Sequence, residues 1–264
     1  EAVLEPMRAN FAQIRARLTD ARLLGRLEPL EDWTLRRHAA LTPFLARRRA
    51  EGFVRECHGD MHRGNIALEG GEILIFDGIE FNPSLRWIDV MSEMAFLVMD
   101  LEDARELPQA RRLLNRYLEL TGDYAGLRVL DLYKVYRAMV RAKVTAIRLG
   151  QPDLGPGEAE RDRHELDGYL DLAEGYTRPG RALVLLTHGP SGSGKSRLCL
   201  RLRAELPVIH IRSDIERKRL FGLAAAQRAF GGGKDQGFHR VAHAGTFRLS
   251  RKFFSIAWPC SERM

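Results

Sequence analysis

The segment Gly189-Pro190-Ser191-Gly192-Ser193-Gly194-Lys195-Ser196 has the spacing G-x-x-x-x-G-K-S, and it lies between an apolar run, Ala182–Leu186, and a helical pattern, Arg197–Leu206. Glycines let the backbone turn tightly, so that successive N–H groups point inward at phosphate oxygens, and the positive end of the following helix dipole adds to that field. These eight residues read as a nucleotide-phosphate cradle in which Lys195 reaches the β- and γ-phosphates and the Ser196 hydroxyl holds Mg2+. The strand before and the helix after are the context this chemistry needs, and a Gly-Ser turn that happens to precede a lysine lacks it. Downstream, Pro207–Ser213 reads as a second short strand with Asp214 and Arg217 at its carboxyl end, the edge where ligands sit in open α/β sheets. Asp214 is expected to accept the proton of an attacking hydroxyl, to cap the next helix, or to do both, while Arg217 lies one helical turn on and steadies a phosphate.

A second constellation is His58-Gly-Asp60-Met-His62-Arg-Gly-Asn65, followed by Asp77 at the end of an apolar run, Ile73–Phe76. Phosphoryl transfer to a hydroxyl requires one carboxylate near the acceptor and at least two oxygen ligands for magnesium, and Asp60, Asn65 and Asp77 supply that set. A rival reading places His58, Asp60 and His62 on one side of a strand as a three-ligand divalent metal site. Gly59 and Gly64 favour a loop instead.

The elements that must position these groups follow from periodicity. Residues 2–50 read as helices, with Phe11, Ile14 and Leu18, then Leu23, Leu24 and Leu27, at helical spacing. Phe53–Cys57 and Ile73–Phe76 read as strands joined by glycine-containing loops. Helical texture returns over Asp89–Leu101, Gln109–Leu120, Leu127–Leu149 and roughly Glu158–Glu174. Gln151–Gly157 interrupts it, and Thr177-Arg-Pro-Gly180 reads as an interdomain joint. Trp33, Trp87 and the Met91, Met94 and Met99 set fit packing better than a cofactor site.

The chain has 264 residues, 45% hydrophobic and 29% charged, which excludes disorder, collagen and coiled coil as descriptions of the whole. No apolar run approaches the roughly 20 residues of a membrane span, so a cytoplasmic protein is the expectation. Cys57, Cys199 and Cys260 form no C-x-x-C pair and read as buried reduced thiols. The net charge of +7 is concentrated after residue 180, where 16 Lys+Arg face 5 Asp+Glu. Such a surplus suits anionic partners, phosphates or nucleic acid, but no aromatic residue interleaves Arg212–Arg219, which weighs against stacking on bases.

Two resemblances follow. The Gly189 segment with Asp214-x-x-Arg217 resembles the small P-loop kinases, including the polynucleotide-kinase-like group, in which this D-x-x-R serves the acceptor hydroxyl. It departs from them in having no Asp after Asp235, so the second magnesium anchor is missing, and Arg240, Arg248 and Arg251 are weak counterparts of lid arginines. The His58–Asn65 segment resembles the aminoglycoside phosphotransferase-like branch of the protein-kinase-like fold, whose catalytic loop is H-G-D-x-H-x-x-N. That resemblance implies Asp60 as catalytic base, Asn65 and Asp77 as Mg2+ ligands, and His58 and His62 as braces of the loop. The first lysine of the chain is Lys134, so the glycine-rich cover and lysine of an N-lobe have no counterpart here.

In its order the chain resembles bacterial fusions of these two domains, and Ile75–Pro83, Tyr136–Lys143 and Ile211–Arg219 strengthen the match. The expectation is a mixed fold: a largely α-helical protein-kinase-like C-lobe with short strands over residues 1–176, its N-lobe missing, then an incomplete α/β P-loop domain over 181–264. The function implied is an ATP- and Mg2+-dependent phosphotransferase acting on an unknown small-molecule hydroxyl, with no membrane partner. A nucleotide-sensing module without phosphotransfer, or an inactive piece, is the alternative.

Overall fold

A computed structural model of the chain describes residues 3–180, 183–190 and 192–223. It is mostly helical with few strands. The described residues form two units: those up to Ala110 with Val129–Gly180, and Arg111–Arg128 with those that follow Arg181.

In the first unit, helix α1 (Leu4–Arg15) buries Met7, Phe11 and Ile14, one residue per turn along a single stripe. Helix α2 (Ala21–Ala50) starts at Asp20, whose carboxylate accepts from the N–H groups of Arg22 at 2.8 Å and Leu23 at 3.4 Å. That is the side-chain cap that orphaned first-turn donors need. Pro29 and Pro43 lie within α2, where each removes one backbone bond. The Thr34 and Thr42 hydroxyls donate to the carbonyls of Leu30 and His38 one turn back.

Strand β1 (Val54–Glu56) pairs antiparallel with β4 (Trp87–Asp89) in the register Val54↔Asp89 and Glu56↔Trp87. Strands β2 (Ile66–Glu69) and β3 (Glu72–Ile75) form a hairpin with Glu69 opposite Glu72. Its turn residues, Gly70 at φ +59 and Gly71 at φ +90, occupy the left-handed region that a two-residue hairpin turn demands.

Helices α3 (Pro83–Arg86), α4 (Val90–Asp103), α6 (Leu127–Leu149) and α7 (Pro156–Thr177) complete this unit, α6 from Val129 on. Its core joins Phe11, Leu23, Leu27, Phe96, Met99, Val135, Met139, Leu166 and Leu170. Arg26 of α2 clasps α7 by ion pairs to Asp167, Asp171 and Glu174. Arg48 at the end of α2 is 1% exposed and makes a two-pronged ion pair with Asp89, at 2.7 and 2.8 Å. The same Asp89 caps α4 by accepting from Met91 N–H at 2.9 Å.

The second unit contains α5 (Leu107–Thr121) from Arg111 on, a 3-10 turn at Tyr124–Gly126, α8 (Lys195–Glu205) and α9 (Ser213–Leu220). The two strands expected here, Ala182–Leu186 and Pro207–Ser213, are not found: none of the described residues among them is in a strand. An extended segment becomes a strand only when a neighbour pairs its backbone. Leu183 is 79% and Leu186 90% exposed. At 208–210 the partner is a side chain: Asn115 Nδ2 donates to the Val208 carbonyl at 3.0 Å, and Asn115 Oδ1 accepts from His210 N–H at 2.7 Å. Arg111 closes the end of α8 by donating to the Ala204 carbonyl at 2.6 Å. Buried Glu216 of α9 accepts from the Tyr124 hydroxyl at 3.0 Å and pairs with Arg219.

Candidate functional sites: the Asp60 loop and the Gly189 loop

His58–Asn65 is a loop between β1 and β2, ending in a 3-10 turn at Arg63–Asn65. Its backbone is fastened from two helices, α4 and α6. The Glu93 carboxylate of α4 accepts from His58 N–H at 2.9 Å and from Gly59 N–H at 3.2 Å. Arg137 of α6 donates to the Gly59 carbonyl at 3.0 Å, and Asp100 of α4 accepts from Arg63 N–H at 2.8 Å. Gly59, at φ +87, has no room for a side chain, since a Cβ would stand 2.8 Å from the Leu85 carbonyl oxygen.

Two imidazoles brace the loop from within. His58 Nε2 donates to the Phe76 carbonyl at 2.8 Å, so its Nδ1 is the acceptor that takes Asp60 N–H at 3.3 Å. His62 Nδ1 accepts from Gly64 N–H at 3.1 Å, which places the ring proton on Nε2, 3.4 Å from Asp60 Oδ2. Asn65 Nδ2 donates to the same Oδ2 at 3.3 Å and to the Asp60 carbonyl at 3.0 Å. One carboxylate oxygen of Asp60 is thus held, and Oδ1 takes no hydrogen bond among the described residues. The His62 hydrogen bond, with help from the charges of His62 and Arg137, holds the Asp60 carboxyl below its ordinary range although burial opposes it.

Asp77 lies two residues beyond β3, exposed, at φ +60. The chain on either side of it is tied to the loop: Phe76 N–H donates to the Asn65 carbonyl at 3.1 Å and Ile79 N–H to the His58 carbonyl at 2.9 Å. A non-glycine residue in the left-handed region is a strained choice that its surroundings must impose. No hydrogen bond or ion pair joins Asp77 to Asp60 or Asn65 among the described residues.

The three-ligand reading of His58, Asp60 and His62 is overturned. The segment is a loop, the imidazole nitrogens are spent on backbone and carboxylate partners, and no cluster of three or more His, Cys, Asp or Glu that could hold a metal occurs among the described residues. Cys57, next to the loop, has its thiol pushed up to about 11 by burial, with Glu93 and Asp89 adding to it, which makes it a poor nucleophile. Cys199 is a free thiol, and Cys260 lies outside the described residues.

Sequence reasoning missed Glu93 and Arg137 as supports of this loop. The available signal was a charged residue at core-facing positions of otherwise apolar helical stripes, at Glu93 between Met91 and Phe96 and at Arg137 between Tyr133 and Ala138. Arg137 is 6% exposed, its guanidinium lies 4.6 Å from the Phe96 ring centroid, and its Nε is buried with no partner. A cavity of about 860 Å³ opens on the loop, with Asp60, Gly59 and Arg137 on its wall. Trp87, expected in packing, is 52% exposed and lines this cavity.

In the second unit the Gly189–Ser196 loop leads into α8. Gly189 at φ +147, Gly192 at φ +80 and Gly194 at φ +83 take the left-handed conformations that the glycine spacing predicts. A Cβ at Gly189 would stand 3.0 Å from Ser193 Oγ, inside the curve of the loop. Lys195 folds back over it, Nζ donating to the carbonyls of Gly189 at 2.7 Å and Pro190 at 2.5 Å and to Ser193 Oγ at 3.3 Å. Ser196 is exposed in the first turn of α8, and Ser191 lies outside the described residues.

Asp214 is not the cap of α9, because the N-cap position is Arg212; Asp214 lies inside the first turn and pairs with Arg212 at 2.9 Å. Arg217, one turn on, has a buried Nε without a partner. Among the described residues no hydrogen bond or ion pair joins Asp214 or Arg217 to the Gly189–Ser196 loop. Arg240, Arg248 and Arg251 lie outside the described residues.

Residues 184–259 match the AAA domain family. The match gives the C-terminal part of the chain a P-loop, kinase-like, nucleotide-binding character. Similar to the chain as well are an uncharacterized protein of Mycobacterium bovis and uncharacterized proteins of two Mycobacterium tuberculosis strains. Each is 31% identical over 224 residues, which is 83% of this chain and 43% of the relative. The chain therefore spans less than half the length of these curated relatives. No solved structure matches it. No helix among the described residues is long and apolar enough to cross a membrane.

Proposed function

We propose that the protein is a Mg2+- and ATP-dependent phosphotransferase acting on a small-molecule hydroxyl, with its nucleotide site at Gly189–Ser196. The observation that carries this reading is the loop itself, three left-handed glycines opening directly onto the N-terminus of α8, with an ammonium lying across its mouth. Bound Mg-ATP supplies the transferable phosphoryl group. The loop amides and Lys195 Nζ hold phosphate oxygens, Lys195 exchanging its carbonyl partners for them, and the Ser196 hydroxyl is the magnesium ligand of this unit. Asp214 and Arg217 on α9 are the candidate groups for an acceptor hydroxyl and its phosphate.

The Asp60 loop supports a phosphotransfer centre of its own, of the kind found in aminoglycoside phosphotransferase-like proteins. Asp60 Oδ2 is fixed by His62 and Asn65, so Oδ1 is left to accept the proton of an alcohol as its oxygen attacks phosphorus. Asn65 spends its Nδ2 on Asp60 and leaves Oδ1 without a hydrogen bond among the described residues, a fit to a hard cation, and Asp77 is the second candidate ligand. A low-lying Asp60 carboxyl is ionised at neutral pH, the state that a base requires.

The test is a titration of the chain with Mg-ATP, followed by transfer from radiolabelled ATP to a panel of alcohols. Lys195→Ala is expected to weaken nucleotide binding by about 10- to 150-fold through loss of charge-assisted hydrogen bonds, Asp214→Asn to abolish transfer from the Gly189 site at unchanged nucleotide affinity, and Asp60→Asn to leave both the affinity and the transfer of that site unchanged. Absence of nucleotide binding in the unaltered chain sinks the reading. Binding without transfer to any alcohol favours a nucleotide-sensing module instead, a reading supported by the pairing of Asp214 with Arg212 rather than with the loop.

A further inference from the structure

The cavity of about 860 Å³ beside Asp60 lies wholly within the first unit and has the size of a small-molecule site. Its carbon walls include Leu45, Ile79, Leu85, Trp87 and Val140. Two carboxylates line it, Asp60 and Asp89, and both are already answered: Asp89 by the two-pronged Arg48 and Asp60 by His62 and Asn65.

The cations on the wall are not answered in the same way. Lys143 of α6 is half-buried and has neither a hydrogen bond nor an ion pair with any described residue; burial and the like charge of Arg17 depress its ammonium. Arg49 of α2 is exposed at the rim and has no ion pair among the described residues. Arg137 is more than nine-tenths buried with its Nε unpartnered. An ammonium withdrawn from water without a counter-ion is costly, and an anion entering this cavity offsets that cost at Lys143, with the positive charge of Arg49 and Arg137 on the same wall adding to the attraction.

We propose that this cavity binds an organic anion: an acceptor with an apolar skeleton, a hydroxyl that reaches Asp60, and a carboxylate or phosphate that pairs with Lys143 and Arg49. The hydroxyl part of this statement rests on the reading of Asp60 as a base, whereas the anion part rests on the cavity alone. A polycationic amino sugar meets like charge on these walls and is excluded.

The experiment uses the full chain without nucleotide or magnesium, so its outcome is independent of phosphotransfer. The probes are 1-naphthyl phosphate and 1-naphthol, one ring system with and without the charge, titrated by calorimetry, with kanamycin as competitor. The phosphate is expected to bind at one site at least about 10-fold tighter than the naphthol, Lys143→Met to erase that preference, Lys143→Arg to retain it, and kanamycin not to compete. Equal affinity for the two probes, a preference that survives Lys143→Met, no binding of the phosphate to the unaltered chain, or competition by kanamycin overturns the anion site. A chain that passes this test and transfers no phosphate to any alcohol leaves the anion site standing and overturns the proposed reaction.

Discussion

At the scale of single residues, His62 decides how basic Asp60 is. The Gly64 N–H occupies one ring nitrogen and turns the other, with its proton, toward Asp60 Oδ2. This contact is the largest cause of the lowered Asp60 carboxyl, and burial is the main force against it. His62→Ala therefore raises the Asp60 pKa. If Asp60 is the base proposed above, it must be ionised to act, and the acid limb of kcat/KM against pH is expected to move to higher pH, with His62→Gln, which keeps a donor, moving it less. An unmoved limb would show that His62 does not set the basicity. The same contact carries a stability consequence. A carboxyl lower in the folded state than in the unfolded one contributes stability that is present above its ordinary range and is lost as pH falls through the folded value. Asp60 and Asn65 were legible in the sequence because both lie in one short loop, where spacing fixes proximity. Glu93 and Arg137 were not, because they reach the loop from helices 34 and 78 residues away. The left-handed backbone at Asp77 leaves no mark in composition at all.

At the scale of elements, the Arg48–Asp89 pair joins the end of α2 to the junction of β4 and α4, and Asp89 lines the same cavity as Asp60. Arg48 is fully enclosed, with its guanidinium 4.2 Å from the Phe53 ring centroid, and Asp89 also accepts from Tyr133 at 3.5 Å and from Met91 N–H. Removing one partner leaves a buried charge uncompensated, so Arg48→Ala is expected to cost about 3–5 kcal/mol, read as a lowered urea midpoint. Arg48→Met combined with Asp89→Asn should recover part of that loss, since no charge is then stranded. In the second unit, Asn115 stands where a neighbouring strand would be. Asn115→Ala is expected to destabilise that unit by about 1–3 kcal/mol and to speed exchange of the His210 amide, while exchange in α2 stays unchanged.

The helices of the first unit were legible because their apolar stripes repeat at helical spacing over long runs, as in Met7, Phe11 and Ile14. The run Leu183–Leu186 carries an equally plain apolar signal, yet a strand also needs a partner. Periodicity of one segment says nothing about where that partner is, and at 208–210 it turned out to be an amide side chain far earlier in the chain.

At the scale of the molecule, the second unit is assembled from two stretches of sequence. The pattern of 109–120 is continuous with what surrounds it, and nothing in it separates 111–128 from its neighbours. The assignment comes from long-range bonds: Arg111, Asn115, Glu119 and Tyr124 each engage residues 92 to 100 positions further on, in 204–219. Ligand binding makes this testable. A nucleotide held by the Gly189 loop at 100 times its Kd stabilises the unit that holds it by about 2.7 kcal/mol, which slows exchange through global opening of that unit by about 100-fold. If 111–128 belongs to that cooperative unit, its most protected amides gain the same factor on addition of Mg-ATP as those of α8 and α9. Lys195→Ala, by weakening binding, is expected to remove the gain from both stretches together. Protection confined to 192–223 would mean that Asn115 and Tyr124 touch the nucleotide unit without sharing its stability. The +11 balance of the residues after 180, from 16 Lys+Arg and 5 Asp+Glu, bears on the same measurement. A basic surface raises the affinity for any polyanion, so inorganic triphosphate should reproduce the protection pattern if the loop recognises phosphates, and an oligonucleotide should reproduce it if bulk charge alone is responsible.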